Sequence, residues 1–290
     1  MSIPMNSHCV DCVFKKYMET ARQAGDDETA YLFAKKIMAL FLESGKMESS
    51  STLGARINRL CTELYGLPQD RFRQEKEESN RFVMARLEKI RQKVRQAEEP
   101  LLTAMQYAIL GNYIDFSALG KSVSFAALDE MLQNPQKFAF ETQDFERFCG
   151  DMKKAKNLLI FTDNAGEIGF DWILAEVLQQ QYPDADITFC VRGTPVYNDA
   201  TREDYALMGI PFPVIDNGSD IGGTDLDYIG DEARRAMENA DVILAKGMGN
   251  TETLYGCGYN VYYAFLVKCK RFQQVFNKPH MTAMFVRDNG

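Results

Sequence analysis

The stretch Asp163-Asn164-Ala165-Gly166-Glu167 places two carboxylates and an amide directly after the apolar run Leu158–Phe161. A side-chain carboxylate beside an amide oxygen is a pair of hard donors, suited to magnesium or manganese. A second polar stretch, V-R-G-T-P-V-Y-N-D-A-T, offers Arg192, Asn198 and Asp199. Asp199 would add another carboxylate, leaving coordination positions open for water and a substrate oxygen. A cation held in this way polarises a phosphoryl group and makes its bound water a better nucleophile. The competing reading of the pentad is an Asp helix cap followed by a glycine turn.

The third polar stretch is A-K-G-M-G-N-T-E-T, with Lys246, Gly247, Gly249, Asn250 and Thr251. Two glycines let backbone amides approach a ligand, and a helix starting near Thr251 would aim its positive end there. Lys246 adds a point charge. The outline is that of a phosphate cradle, although it lacks the G-x-x-x-x-G-K pattern of the P-loop.

Several other chemistries are poorly supported. His8 and His280 are the only histidines, and no G-x-S-x-G is present, so a histidine-based triad is not expected. Cys9-Val-Asp-Cys12 could bind zinc or do redox chemistry. No second cysteine pair matches it, and two thiols three residues apart on a helix can simply pack against neighbours.

These clusters need elements to position them. The first half reads as helices. Val10, Val13, Phe14, Tyr17, Met18 and Ala21 recur at helical spacing up to Gly25, a second helix spans Glu28 to Ser44, and a third carries Leu53, Ile57, Leu60, Cys61 and Leu64. The charged segment from Gln69 to Glu99 carries Val83, Leu87, Ile90 and Val94, the stripe of an amphipathic helix lying on the body. Pro100 opens an apolar stretch ending at Gly111-Asn112.

Beyond about residue 150, short apolar runs alternate with helical patterns. The runs are Leu158–Phe161, Ile187–Val191, Phe212–Ile215 and Val242–Ala245, with Val261–Val267 and Ala283–Val286 as further candidates. That alternation predicts an α/β fold with a mainly parallel sheet covered on both faces. All three polar stretches follow strand candidates, where open α/β sheets bind ligands. The expected division is a helical portion over 1–150 and a core over 151–290, sharing a cleft.

A chain of 290 residues can bury a sizeable core. Its net charge of −8 argues against nonspecific nucleic-acid binding. No run reaches the length of a membrane span, the N-terminus lacks a signal pattern, and seven scattered cysteines do not suggest a disulfide framework. A cytoplasmic protein is the expectation.

D-N-A-G-E, V-Y-N-D-A-T-R-E-D and A-K-G-M-G-N together resemble the damage-control phosphatase family. Cys9-Val-Asp-Cys12 and G-N-Y-I-D-F at Gly111–Phe116 are similar to its short, prokaryotic-type branch. The likeness is strong over about 158–270 and patchy before that. It implies a helical N-terminal portion packed on a three-layer α/β/α Rossmann-like core, and phosphatase activity on small phosphometabolites. The implied cofactor is manganese, cobalt, nickel or magnesium. Carried over by position, it implies Asp163, Asn164 and Asp199 as metal ligands, with Lys246 and the backbone of Gly247, Gly249 and Asn250 near the phosphate. Glu167 would orient or deprotonate water, and Asn112 and Asp115 would reach the cleft. Arg192 and Arg202 are further candidates for substrate contact, Arg202 reading more readily as a surface arginine. Two other functions remain in view: an S-adenosylmethionine-dependent carboxyl methyltransferase, which would want a G-x-G turn after the first strand, and a non-catalytic sugar-phosphate-binding protein, which would not need paired carboxylates.

Overall fold

A computed structural model describes residues 2–116 and 118–288. Helices come first: α1 (Ser7–Ala24), α2 (Asp27–Glu43), α3 (Ser50–Tyr65), α4 (Arg73–Met84), α5 (Leu87–Gln96), α6 (Pro100–Gly111), α7 (Phe125–Gln133) and α8 (Gln143–Met152). Strands and helices then alternate: β1 (Asn157–Phe161), α9 (Glu167–Gln181), β2 (Asp186–Val191), α10 (Arg202–Met208), β3 (Val214–Asp216), α11 (Asp231–Asn239), β4 (Val242–Lys246), α12 (Gly247–Leu254), β5 (Val261–Leu266), α13 (Lys270–Phe276) and β6 (Ala283–Arg287).

The helix starts follow local chemistry. Asn6, Asp26 and Ser49 cap α1, α2 and α3 by accepting first-turn backbone N–H bonds. Pro100 stands in the first turn of α6, where its missing N–H costs nothing. The charged segment differs from the single helix expected there. It breaks into α4 and α5 at Ala85–Arg86, yet Val83, Leu87, Ile90 and Val94 are all buried on the body.

The sheet order is β3-β2-β1-β4-β5-β6, parallel throughout except for β6, which runs antiparallel to β5. Successive strand residues face opposite layers. Leu158, Ile160, Val242 and Leu244 join a core with α5, α6, α8 and α9, while Leu159, Phe161, Ile243 and Ala245 join one with α11, α12 and α13. A third, separate core lies within α1–α3, built on Tyr17, Phe33, Ile37, Leu53 and Ile57. The fold is therefore the expected α/β architecture, with helices leading into a mainly parallel sheet. The chain leaves β1 and returns as β2 on one side and β4 on the other. That divergence opens a crevice at the carboxyl ends of β1 and β4, where such sheets place their ligands. Among the described residues no helix is long and apolar enough to cross a membrane.

Candidate functional site

The two acidic stretches meet through the backbone. Asn164 and Asp199 form an isolated antiparallel bridge, with Ala200 N–H donating to Asp163 O at 2.7 Å and Ala165 N–H to Asn198 O at 2.8 Å. Asp163, Asn164 and Asp199 are thereby held side by side, and all three are buried. Asn198 Nδ2 donates to Asn164 Oδ1 (2.9 Å) and to Ile114 O (2.9 Å), fixing the Asn164 amide.

Glu167, at the start of α9, fastens the group from beneath. Its Oε2 accepts from Asn112 Nδ2 at 3.1 Å and Asn164 Nδ2 at 2.8 Å, and Asp163 Oδ2 accepts from the same two amides at 2.8 and 2.9 Å. Asn112 Oδ1 in turn accepts from Leu266 N–H, so α6, β1 and β5 converge on one amide. With Glu167 Oε1 taken by Lys246 Nζ at 2.5 Å and the side chain fully buried, the expected role of handling water has no exposed oxygen to perform it. Both of its oxygens are instead engaged by protein donors.

Lys246 also departs from expectation. Val242, Leu244 and Lys246 lie on one face of β4, so the ammonium points into the layer under α6 and α9. Nζ donates to Ala108 O at 2.8 Å and to Glu167, and lies 2.8 Å from Asp171 Oδ1. Two hydrogen bonds and one close ion pair thus engage the ammonium, which is fully buried. Burial opposes the ammonium charge, but Asp171 and Glu167 outweigh it and hold Lys246 protonated.

The cation missed in the sequence is Lys268, two residues past the end of β5. Its Nζ donates to Asp115 Oδ2 at 2.5 Å and Asn112 O at 2.7 Å, and its charge reaches Asp163. Burial works against ionisation of Asp115, yet Lys268 and the Ala118 N–H hold its carboxyl below the usual range. The strand-end rule that found the other clusters also covers Val267-Lys268-Cys269, but a lone lysine there looks like any surface lysine.

Arg192 enters from β2. Its Nε donates to Asp199 Oδ2 at 2.6 Å and Nη1 to Asn250 Oδ1 at 2.9 Å, while Nη2 finds no hydrogen-bond acceptor and stands 3.6 Å from Asp163 Oδ1. Asn250 spends its amide on Thr162 O and Lys246 O, so it braces α12 against β1 and β4. Gly247 has φ 79°, and a Cβ there would fall 2.0 Å from Asp163 Oδ2. At Gly249 a Cβ would fall 1.9 Å from Gly222 O, so this glycine serves a close backbone crossing. No side chain caps α12, which begins directly at the carboxyl end of β4. Arg202 is on the surface, paired with Asp216 and Glu232.

A divalent cation fits this setting. Among the described residues, Asp115, Asp163, Glu167, Asp171 and Asp199 stand against Arg192, Lys246 and Lys268 around the crevice, all buried. That is a surplus of two carboxyl groups in a dry place. Burial first, then the charges of Asp199 and Glu167, push Asp163 well above the usual carboxylate range. Burial likewise raises Asp199 despite Arg192. A metal would reverse both shifts. No group of three or more His, Cys, Asp or Glu side chains surrounds a common metal position among the described residues, so a site here needs the Asn164 amide as its third donor.

Cys9 is half-buried and Cys12 exposed on α1, and burial pushes the Cys9 thiol up. A surface cavity of about 700 Å³ lies between α4 and α10, lined by Arg73, Arg81, Glu203 and Leu207.

Comparison with known proteins agrees with the architecture. The damage-control phosphatase ARMT1-like domain matches residues 5–283. A damage-control phosphatase of Archaeoglobus fulgidus is 29% identical over 251 residues, covering 85% of each chain. One from Pyrococcus horikoshii is 32% identical over 188 residues, covering 64% of each. An uncharacterised Methanocaldococcus jannaschii protein is 29% identical over 281 residues, 93% of this chain and 90% of its own. The crystal structure of a DUF89 family protein from Pyrococcus horikoshii superposes with a TM-score of 0.84 at 26% identity, covering 99% of both chains. With the family match running over residues 5–283 and the fold superposing over 99% of both chains, this chain belongs to the damage-control phosphatase ARMT1-like family, a family of metal-dependent phosphatases.

Proposed function

We propose that the protein hydrolyses small phosphomonoesters, sugar phosphates or damaged phosphorylated metabolites, with a divalent cation held by Asp163, Asn164 and Asp199. The observation that carries this reading is the backbone-locked trio of donors beside an orphaned, buried Arg192 N–H. When bound, the cation would polarise a phosphoryl oxygen and acidify a water ligand. The protein's own groups do the rest. Arg192 Nη2, Lys268 and the open amides of α12 receive the phosphate oxygens and stabilise their charge as the ester bond breaks. Glu167 and Asn112 hold Asp163 and Asn164 in register, and Lys246 offsets the charge beneath them. Magnesium and manganese suit a hard-oxygen set of this kind, and cobalt and nickel are the further cations that the family resemblance implies. The absence of a G-x-G turn after β1 weighs against S-adenosylmethionine chemistry.

The test is phosphate release from a panel of sugar phosphates, with and without manganese, by the native chain, Asp163→Asn and Lys268→Met. Asp163→Asn should lose manganese binding and turnover together. Lys268→Met should keep manganese and lose about a hundredfold in kcat/KM, the scale of one electrostatic donor. Tight binding of a sugar phosphate without hydrolysis would favour a binding protein instead.

A further inference from the structure

Tyr197 has φ 46°, a left-handed conformation that a bulky side chain rarely adopts. It occupies the tight turn closed by Asp199 N–H donating to Val196 O at 3.1 Å, at a position where glycine or asparagine would be expected. Two residues further on stands Asp199, and between them Asn198 fixes the Asn164 amide. A strained backbone persists only where its surroundings over-determine it.

Those surroundings combine α1–α3 with Phe72, just ahead of α4, and Gly222. Tyr17 and Tyr197 bring their hydroxyls to 2.8 Å, and Tyr17 gives its own proton to Gly54 O at 2.6 Å, so the shared proton is that of Tyr197. The Lys16 ammonium lies 3.7 Å above the Tyr197 ring, and its charge also reaches Asp115. A Cβ on Gly54 would meet Tyr197 Oη at 2.9 Å, and one on Gly222 would meet the ring at 3.2 Å. The slot admits the phenol because both of its walls are glycine. The module behind it has its own apolar core, separate from the two that flank the sheet.

We propose that Tyr197 is a positioning residue: the docked α1–α3 module grips its phenol and, through the tight turn, aims Asp199 at the metal position. The proposal rests on the metal reading given above. Under it the first three helices complete the cation site without supplying a ligand. Tyr17 then acts on metal affinity only through Tyr197, although it belongs to neither the metal nor the substrate machinery.

Manganese titration by calorimetry on the full chain tests this, using Tyr17→Phe, Tyr197→Phe and the double variant, with circular dichroism to confirm folding. Each single change should weaken manganese binding by about tenfold, the lower end of the effect of partners that orient a ligand. The double variant should be no weaker than either single one. Gly54→Ala, which crowds the phenol without removing a hydroxyl, should weaken binding likewise and serves if Tyr17→Phe fails to fold. Arg59→Ala, which removes the exposed pair of α3 with Asp220, should leave affinity unchanged. Wild-type affinity in Tyr17→Phe and Gly54→Ala, multiplying effects in the double variant, or an equal loss in Arg59→Ala would overturn the proposal. Asp163→Asn separates the two levels. If it too binds manganese normally, the metal reading itself fails; if it alone loses binding, only the positioning role fails.

Discussion

Lys246 Nζ sits 2.5 Å from Glu167 Oε1 with both side chains fully buried, and Asp171 completes the group from the same helix. The lysine therefore offsets charge inside the protein. Lys246→Met should leave two buried carboxyl groups without a countercharge and destabilise the fold by about 3–5 kcal/mol. Urea unfolding checks this. A variant of native stability with a hundredfold loss of kcat/KM would return Lys246 to the phosphate.

Gly247 lies so close to Asp163 that its lack of a side chain is a condition of the site. Gly247→Ala should displace the Asp163 carboxylate and carry a backbone cost of about 1–2 kcal/mol at positive φ. Manganese affinity should fall by about tenfold or more. Metal titration decides, and wild-type affinity would mean that Asp163 does not need its present place.

Asp171 gives a pH dependence with a definite sign. Burial pushes its carboxyl up to about 7 against the pull of Lys246, and neither oxygen finds a hydrogen-bond donor. A carboxyl raised in the folded state contributes stability that is complete below its unfolded value of about 3.9 and is lost as pH rises through the folded value. The metal-free protein should therefore melt at lower temperatures as pH rises from about 4 to about 7. Asp171→Asn should decline less steeply. Parallel melting curves for the two proteins across that window would contradict the assignment.

Cys9 and Cys12 should prove dispensable for catalysis. Replacing both with alanine should leave manganese-supported hydrolysis nearly unchanged and lower stability by about 1 kcal/mol, since only Cys9 is half-buried. Metal analysis of the purified chain is the complementary check. A stoichiometric zinc lost with the two thiols would contradict the packing reading.

The strands were legible because a parallel sheet covered on both faces demands unbroken apolar runs, and Leu158–Phe161 and Val242–Ala245 are such runs. The pairing of Asp163 and Asn164 with Asp199 was legible from their places after two strands. What Lys246 does was hidden by position: it stands beside glycines, like a phosphate-binding lysine, while strand alternation turns it inward toward α9. The break at Ala85–Arg86 leaves no mark, because neither residue is a helix breaker. Nothing local announces the left-handed Tyr197 either, since its conformation is imposed by Tyr17 and Gly54, more than a hundred residues away in sequence.

The separate core of α1–α3 also has a kinetic meaning. A unit that buries its own apolar side chains can detach and re-dock without unfolding the sheet, and its amide hydrogens should then exchange as a group apart from those of β1 and β4. Asp163, Asp199 and Arg192, by contrast, lie in the strand-end group outside that core and are almost inaccessible in the folded chain.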